Sequence, residues 1–241
     1  MAAPTFHSVG AIAGSSSTHT VTMPSHAADD IILLFLMSAN ESISLSSAEG
    51  FALIPGLSNG DGTAGGSTAS RLDVYWVRAT SASMVAPTVA DSGVNTGSAT
   101  MAIRGCIATG DPWDVVAGDA TSGSNTNSVT IPGATTTVAD CLVVLACSDH
   151  YDGTASRGLT LTNSDLTSIT NRIDGGHTAA GGDGLVVATA DRAAAGTVGS
   201  STGTNTLATA GRQGRAFIAL KPPTASFVAA WADGANQGDH A

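Results

Sequence analysis

The sequence predicts an all-β fold: an antiparallel, jelly-roll-like β-sandwich built from two tandem quasi-repeats, with a short C-terminal tail. Three observations carry that expectation. Short apolar or alternating segments recur between clusters of Gly, Ser, Thr, Asn and Asp at intervals of roughly ten residues, without helical periodicity in the body of the chain. Val21-Thr22-Met23-Pro24, followed by Asp30 and the apolar run from Ile31, is echoed by Val129-Thr130-Ile131-Pro132, followed by Asp140 and the apolar run from Cys141. Gly97, Ala99, Ala102 and Arg104 match Gly214, Ala216, Ala219 and Lys221 at one ungapped offset of 117 residues (214 minus 97). The expected boundaries are a sandwich over 1–221, with one quasi-repeat at about 6–107 and the other at about 128–221, and a tail over 222–241.

In chain order, Phe6 to Val21 is rich in Ser, Gly, Ala and Thr, and Pro24 closes a short strand expected at a sheet edge, because proline cannot donate to a ladder. Ile31 to Met37 is continuously apolar, as in a central strand buried on both faces. Ile43 and Leu45 alternate with serines, and Phe51 to Leu57 is a short apolar segment broken by Pro55. A turn-rich loop, Ser58 to Ser70, leads to the strand Leu72 to Arg78. Its adjacent aromatics, Tyr75 and Trp76, must face opposite ways, so one of them points away from the core centre. Gly97 to Arg104 is the last strand of the first quasi-repeat. After the connector Asp111-Pro112-Trp113-Asp114, the second quasi-repeat echoes the Gly62–Gly66 loop at His177–Gly182 and the Leu72–Arg78 strand at Leu185–Arg192. About five strands are expected in each. Neither repeat is rich in large apolar residues, so one shared core is expected rather than two beads. In the tail, Phe227, Val228 and Trp231 fall at helical spacing and are candidate docking residues for another subunit.

Composition narrows the function. Charged residues are 12% of the 241, about half the usual share of roughly 25%, so the surface must be neutral and rich in hydroxyls. The net charge of -10 repels phosphate backbones and anionic lipid, which argues against nucleic acid as a partner. The longest apolar run, Ile31 to Met37, is far short of a membrane span, and the N-terminus lacks the basic and apolar regions of a signal peptide. A cytoplasmic product without a cleaved leader is expected. Three cysteines, Cys106, Cys141 and Cys147, give no disulfide framework; Cys141 and Cys147 share one strand face at roughly 20 Å and cannot bridge.

Motifs that suggest chemistry lack their required context. Gly60-Asp61-Gly62-Thr63-Ala64-Gly65 fits a dinucleotide fingerprint but precedes a strand rather than a helix. Gly199-Ser200-Ser201-Thr202-Gly203 fits a nucleophile elbow without a helix to follow or a suitable histidine downstream. Cys147 and His150 stand three apart on a strand end and face opposite ways. His7, His19, His26 and His177 show no ligand spacing, and Asp61 and Asp183 sit in Gly-rich loops without a calcium-binding series. No catalytic residue, metal or cofactor is predicted. Trp113 and Tyr151 are candidate glycan platforms, although packing in the core or between the repeats is the expected role of Trp113.

Asp30-Ile31-Ile32-Leu33-Leu34, the loop before Leu72-Asp73-Val74-Tyr75-Trp76, Ala102-Ile103-Arg104-Gly105 with Asp111-Pro112-Trp113-Asp114-Val115, Val129 to Leu145, and Ile218-Ala219-Leu220-Lys221-Pro222 together resemble tailed-phage and prophage virion-associated β-sandwich proteins of the minor tail or decoration type. The resemblance covers about residues 4 to 222. It implies a virion component and transfers no active site. The expected function is therefore a non-enzymatic phage structural protein, a capsid decoration or tail accessory subunit that contacts other virion proteins and copies of itself. The alternative is a host-surface glycan-binding module carried on the virion.

Overall fold

A computed structural model describes residues 2–121, 123–178, 183–206 and 210–224, and among these the chain forms strands and turns without a helix. The first half contributes β1 (Thr5–Val9), β2 (Ala13–Ser15), β3 (His19–Thr20), β4 (Ile31–Ser38), β5 (Leu45–Ser47), β6 (Ala52–Asp61), β7 (Ser70–Arg78), β8 (Thr88–Val89) and β9 (Thr96–Arg104). The second half contributes β10 (Trp113–Ala120), β11 (Ser128–Ile131), β12 (Thr135–Thr136), β13 (Cys141–Asp149), β14 (Thr167–Gly176), β15 (Gly184–Arg192), β16 (Gly196–Thr197), β17 (Ser201–Thr204) and β18 (Gln213–Leu220).

Two main antiparallel sheets face each other. The first has the order β1-β9-β4-β7-β6, with β2 also on β9, and the second has the order β10-β18-β13-β15-β14. The strands matched in the sequence, β4 with β13, β7 with β15 and β9 with β18, hold corresponding places in these orders. Each central strand is entered through a residue in the left-handed region, Asp29 (φ 69°) and Asp140 (φ 58°). Among the described residues every ladder pairs strands of the same half, so side-chain packing and a few polar bridges join the halves.

The alternation of side chains explains why the central strands read as unbroken apolar runs. Ile31, Leu33, Phe35 and Met37 of β4 meet Leu142, Val144 and Ala146 of β13 in the core between the sheets, with Leu72, Val74, Leu185, Val187, Ile218 and Leu220 around them. Ile32, Leu34 and Leu36 point the other way, under a small sheet of order β3-β8-β5 with Val21, Ile43 and Val89. Cys141, Val143, Leu145 and Cys147 likewise pack outward against Val129, Ile131, Leu159 and Leu161, beneath the β11-β17 pair. Each main sheet is therefore apolar on both faces because it is covered on both, and each large side chain buried stabilises by roughly 1.5–3 kcal/mol. Tyr75 and Trp76 divide as their adjacency requires: Trp76 packs on the central core and Tyr75 on the outer one.

The described chain departs from the sequence-based expectation in several places; β6 runs on to Asp61, into the loop expected from Ser58, and β10 begins at Trp113, within the expected connector. Val21–Pro24 is not a strand; Val21 donates one backbone hydrogen bond to Pro87 O (3.0 Å) and fills the outer core, while its echo, Val129–Ile131, does pair, as β11. Pro55 does not end its segment, because β6 is an edge strand whose register shift between Leu53 and Ser58 takes up Pro55 and Gly56 (φ 83°). Among the described residues each half holds nine strands rather than about five, the additional ones being pieces of two to four residues, most of them in the coverings.

Candidate functional site

At the end of the sandwich where β13 stops, apolar packing gives way to a buried polar cluster. Asp149, the last residue of β13, accepts hydrogen bonds from Arg157 Nη1 and Asn205 Nδ2. Arg157 lies in the long connection to β14 and is fully buried. Its backbone N–H donates to Asp174 Oδ1 (2.8 Å), and Ser156 Oγ donates to Asp174 Oδ2 (2.5 Å), so the connection is clamped to β14. Gly184 leaves the room for this: a Cβ there would stand 2.5 Å from Arg157 Nη1 and 2.7 Å from Asp149 Oδ1.

A second group joins the halves beside it. Asn95 Nδ2 donates to Asp183 Oδ2 (3.1 Å), and His177 N donates to Asp183 O (3.2 Å). The His177 ring is wedged against the first half, where a Cβ on Gly14 would overlap it and one on Gly97 would approach it to 2.7 Å. Burial pushes the Asp183 pKa well up, helped by the Asp149 charge, and raises Asp149 itself against the pull of Arg157. Burial lowers His177 to about 4, with His19 adding to the effect. Its ring nitrogen lies 3.9 Å from the Asp183 carboxylate, so a neutral imidazole sits there beyond hydrogen-bond reach. The cluster gathers its buried polar groups around Arg157.

The candidates named from the sequence are scattered rather than gathered. Trp113 starts β10, is half-buried and meets Trp76 edge-on (centroids 5.2 Å, interplanar angle 87°), against the central core. Tyr151 is half-buried at the opposite end of the second sheet, its ring 2.9 Å from where a Gly153 Cβ would be. Trp113 pairs with Leu220, and Leu220 with Leu142, while Tyr151 follows Asp149, so the length of β13, about 25 Å at roughly 3.3 Å per residue, separates the two platforms. Phe227, Val228 and Trp231 lie outside the described residues, as does most of the His177–Gly182 loop echo.

Asp61, within the glycine-rich motif, is a bridge between the halves. Its carboxylate accepts from Gly62 N (2.7 Å), Thr121 Oγ1 (3.1 Å), Arg212 Nη1 (3.1 Å) and Gly123 N (3.3 Å), and these bonds hold its pKa down against burial. Ser201 lies in β17, paired with β11, and accepts from Asn163 Nδ2 (3.0 Å) instead of forming an elbow. The Cys147 thiol is pushed up to about 12 by burial and by Asp149, and lies in the outer core. The three cysteines are free and buried, and among the described residues no group of three or more His, Cys, Asp or Glu is placed to hold a metal ion.

Sequence reasoning missed Arg157, Asn205 and Asn95. Asp149 and Arg157 are separated by 8 residues and Asp149 and Asn205 by 56, with no spacing rule to link them. The one available signal is an arginine in an otherwise Gly/Thr/Ser-rich connection. Fold and site together define an all-β sandwich whose halves are joined by apolar side chains and buried polar bridges. Comparison with protein-family models, with curated proteins and with solved structures found no match.

Proposed function

We propose that this chain is a non-enzymatic structural subunit of a tailed-phage particle, a capsid decoration or tail accessory protein that works through protein–protein contacts. The observation that carries the reading is the combination of main sheets shielded on both faces with an outer surface of short hydroxyl and glycine residues. Such a surface packs against neighbouring subunits with little charge to desolvate. The matching strand orders support an origin by tandem duplication. In each half the chain passes back and forth between the main sheet and its covering strands, which supports the jelly-roll-like description.

Light scattering with sedimentation on the full chain, together with assay of its incorporation into particles, tests the role. A defined oligomer in solution and stoichiometric incorporation are expected; a monomer that does not enter particles overturns it. Replacing Phe227 and Trp231 by serine tests the tail as the docking segment, with reduced incorporation of a normally folded protein expected.

A further inference from the structure

The inner face of β15 changes character along its length. Leu185 and Val187 enter the central core, but Thr189 and Asp191, the next residues on that side, line a recess of about 230 Å³ at the rim between β1 and β14. Phe6, Ser168, Thr170 and Arg172 line it with them. Two irregularities of the edge strand β14 shape this recess. The register shift between Thr167 and Thr170 contains Ser168, a non-glycine residue in the left-handed region (φ 56°). The shift between Asn171 and Ile173 brings Arg172 over Phe6, with the guanidinium carbon 4.3 Å from the ring centre. Bulges of this kind re-aim side chains beside binding sites.

Arg172 is held at two points, by stacking on Phe6 and by Nε donating to Thr189 Oγ1 at 2.8 Å. Among the described residues its terminal amino groups have no hydrogen-bond partner, and neither does the carboxylate of Asp191. A guanidinium and a carboxylate thus line one recess without pairing with each other. Asp191 opposes an anion there and Arg172 opposes a cation. A neutral polyol suits both, its oxygens accepting from Arg172 while its hydroxyls donate to Asp191, with Ser168 Oγ able to do either. The space is below the roughly 300–1,000 Å³ of sites for drug-sized ligands and takes one small ring.

We propose that this recess binds a single neutral hexose unit, either free or at the end of a glycan, held by Arg172 and Asp191. The site is separate from Trp113 and Tyr151 and does not depend on the particle role. Isothermal titration and saturation-transfer NMR on the full chain test it, with glucose, galactose, mannose and N-acetylglucosamine, and with glycine and inorganic phosphate as zwitterionic and anionic competitors. Saturable binding of a neutral hexose at one site per chain is expected, about tenfold or more weaker in Arg172→Lys and in Asp191→Asn. Circular dichroism and melting check that both variants fold; because the Asp191 carboxylate makes no hydrogen bond or ion pair among the described residues, Asp191→Asn keeps the test decisive if Arg172→Lys disturbs Phe6. Tighter binding of an oligosaccharide ending in the same sugar identifies a glycan end as the source, and equal binding identifies the free sugar. Absence of saturable hexose binding, binding unchanged in both variants, or binding of glycine or phosphate alone overturns the proposal. None of these results bears on oligomerisation or particle incorporation, which report on the structural role separately.

Discussion

Arg157 is fully buried, and its charge is paired with Asp149 and Asp174. Arg157→Met would leave Asp149 as an uncompensated buried carboxylate, and a loss of about 3–5 kcal/mol in urea unfolding at neutral pH is expected. The loss should shrink on acidification, as Asp149 takes up a proton. Asp183 and His177 make opposite contributions to the pH dependence. The Asp183 pKa is raised on folding, so its contribution to stability is complete below about pH 4 and is lost as pH rises through its folded value. His177 is lowered to about 4 from 6.5, so the unfolded chain binds the extra proton between those values and stability rises with pH across that window. Asp183→Asn is expected to steepen the gain in stability from about pH 4.5 to 6.5, and His177→Gln to flatten or reverse it. Denaturant midpoints at the two ends of that range read both slopes. None of these roles was legible in the sequence, where Asp183 and His177 stood as isolated residues beside glycines; a buried charge is recognised only by the partners that folding brings to it.

At the scale of elements, the central strands were legible and the margins were not. Ile31–Met37 and Cys141–Ala146 announce themselves because each is apolar on both faces, and each is covered on both. By contrast, β14 reads Thr-Ser-Ile-Thr-Asn-Arg-Ile-Asp-Gly-Gly, in which two register shifts break the alternation that marks a strand. The covering pieces of two or three residues are too short to show any period at all. Hydrogen exchange should follow the same division, with β4 and β13 amides exchanging only through global unfolding and those of β1 and β14 through local opening. Close approach between elements supplies a sharper test. A Cβ at Gly97 in β9 would lie 2.7 Å from both His177 Nε2 and Met37 Cε, so Gly97→Ala should cost about 1–3 kcal/mol in a thermal or urea melt.

For the whole molecule, the central core draws on both halves, and Asp61–Arg212, Asn95–Asp183 and the buried Ser70–Ser148 hydroxyl pair (2.9 Å) tie them together. One cooperative unfolding transition is expected, with fluorescence and circular dichroism coincident, and residues 1–110 expressed alone should show no cooperative melt. The expectation of a shared core came from counting large apolar residues, yet the bridges that align the two sheets could not be read that way, since each joins positions far apart in the chain. The confinement of every described ladder to one half also shapes the protein's synthesis. The first sheet has all its strands once Arg104 has been added, but Leu33 and Phe35 lack the facing sheet until residues as late as Leu220 arrive. At about 5–20 residues per second, those 116 residues (220 minus 104) take about 6–23 s, during which an apolar face stands open on the ribosome. Slower translation of the second half should therefore lower soluble yield while leaving the melting temperature of the finished protein unchanged.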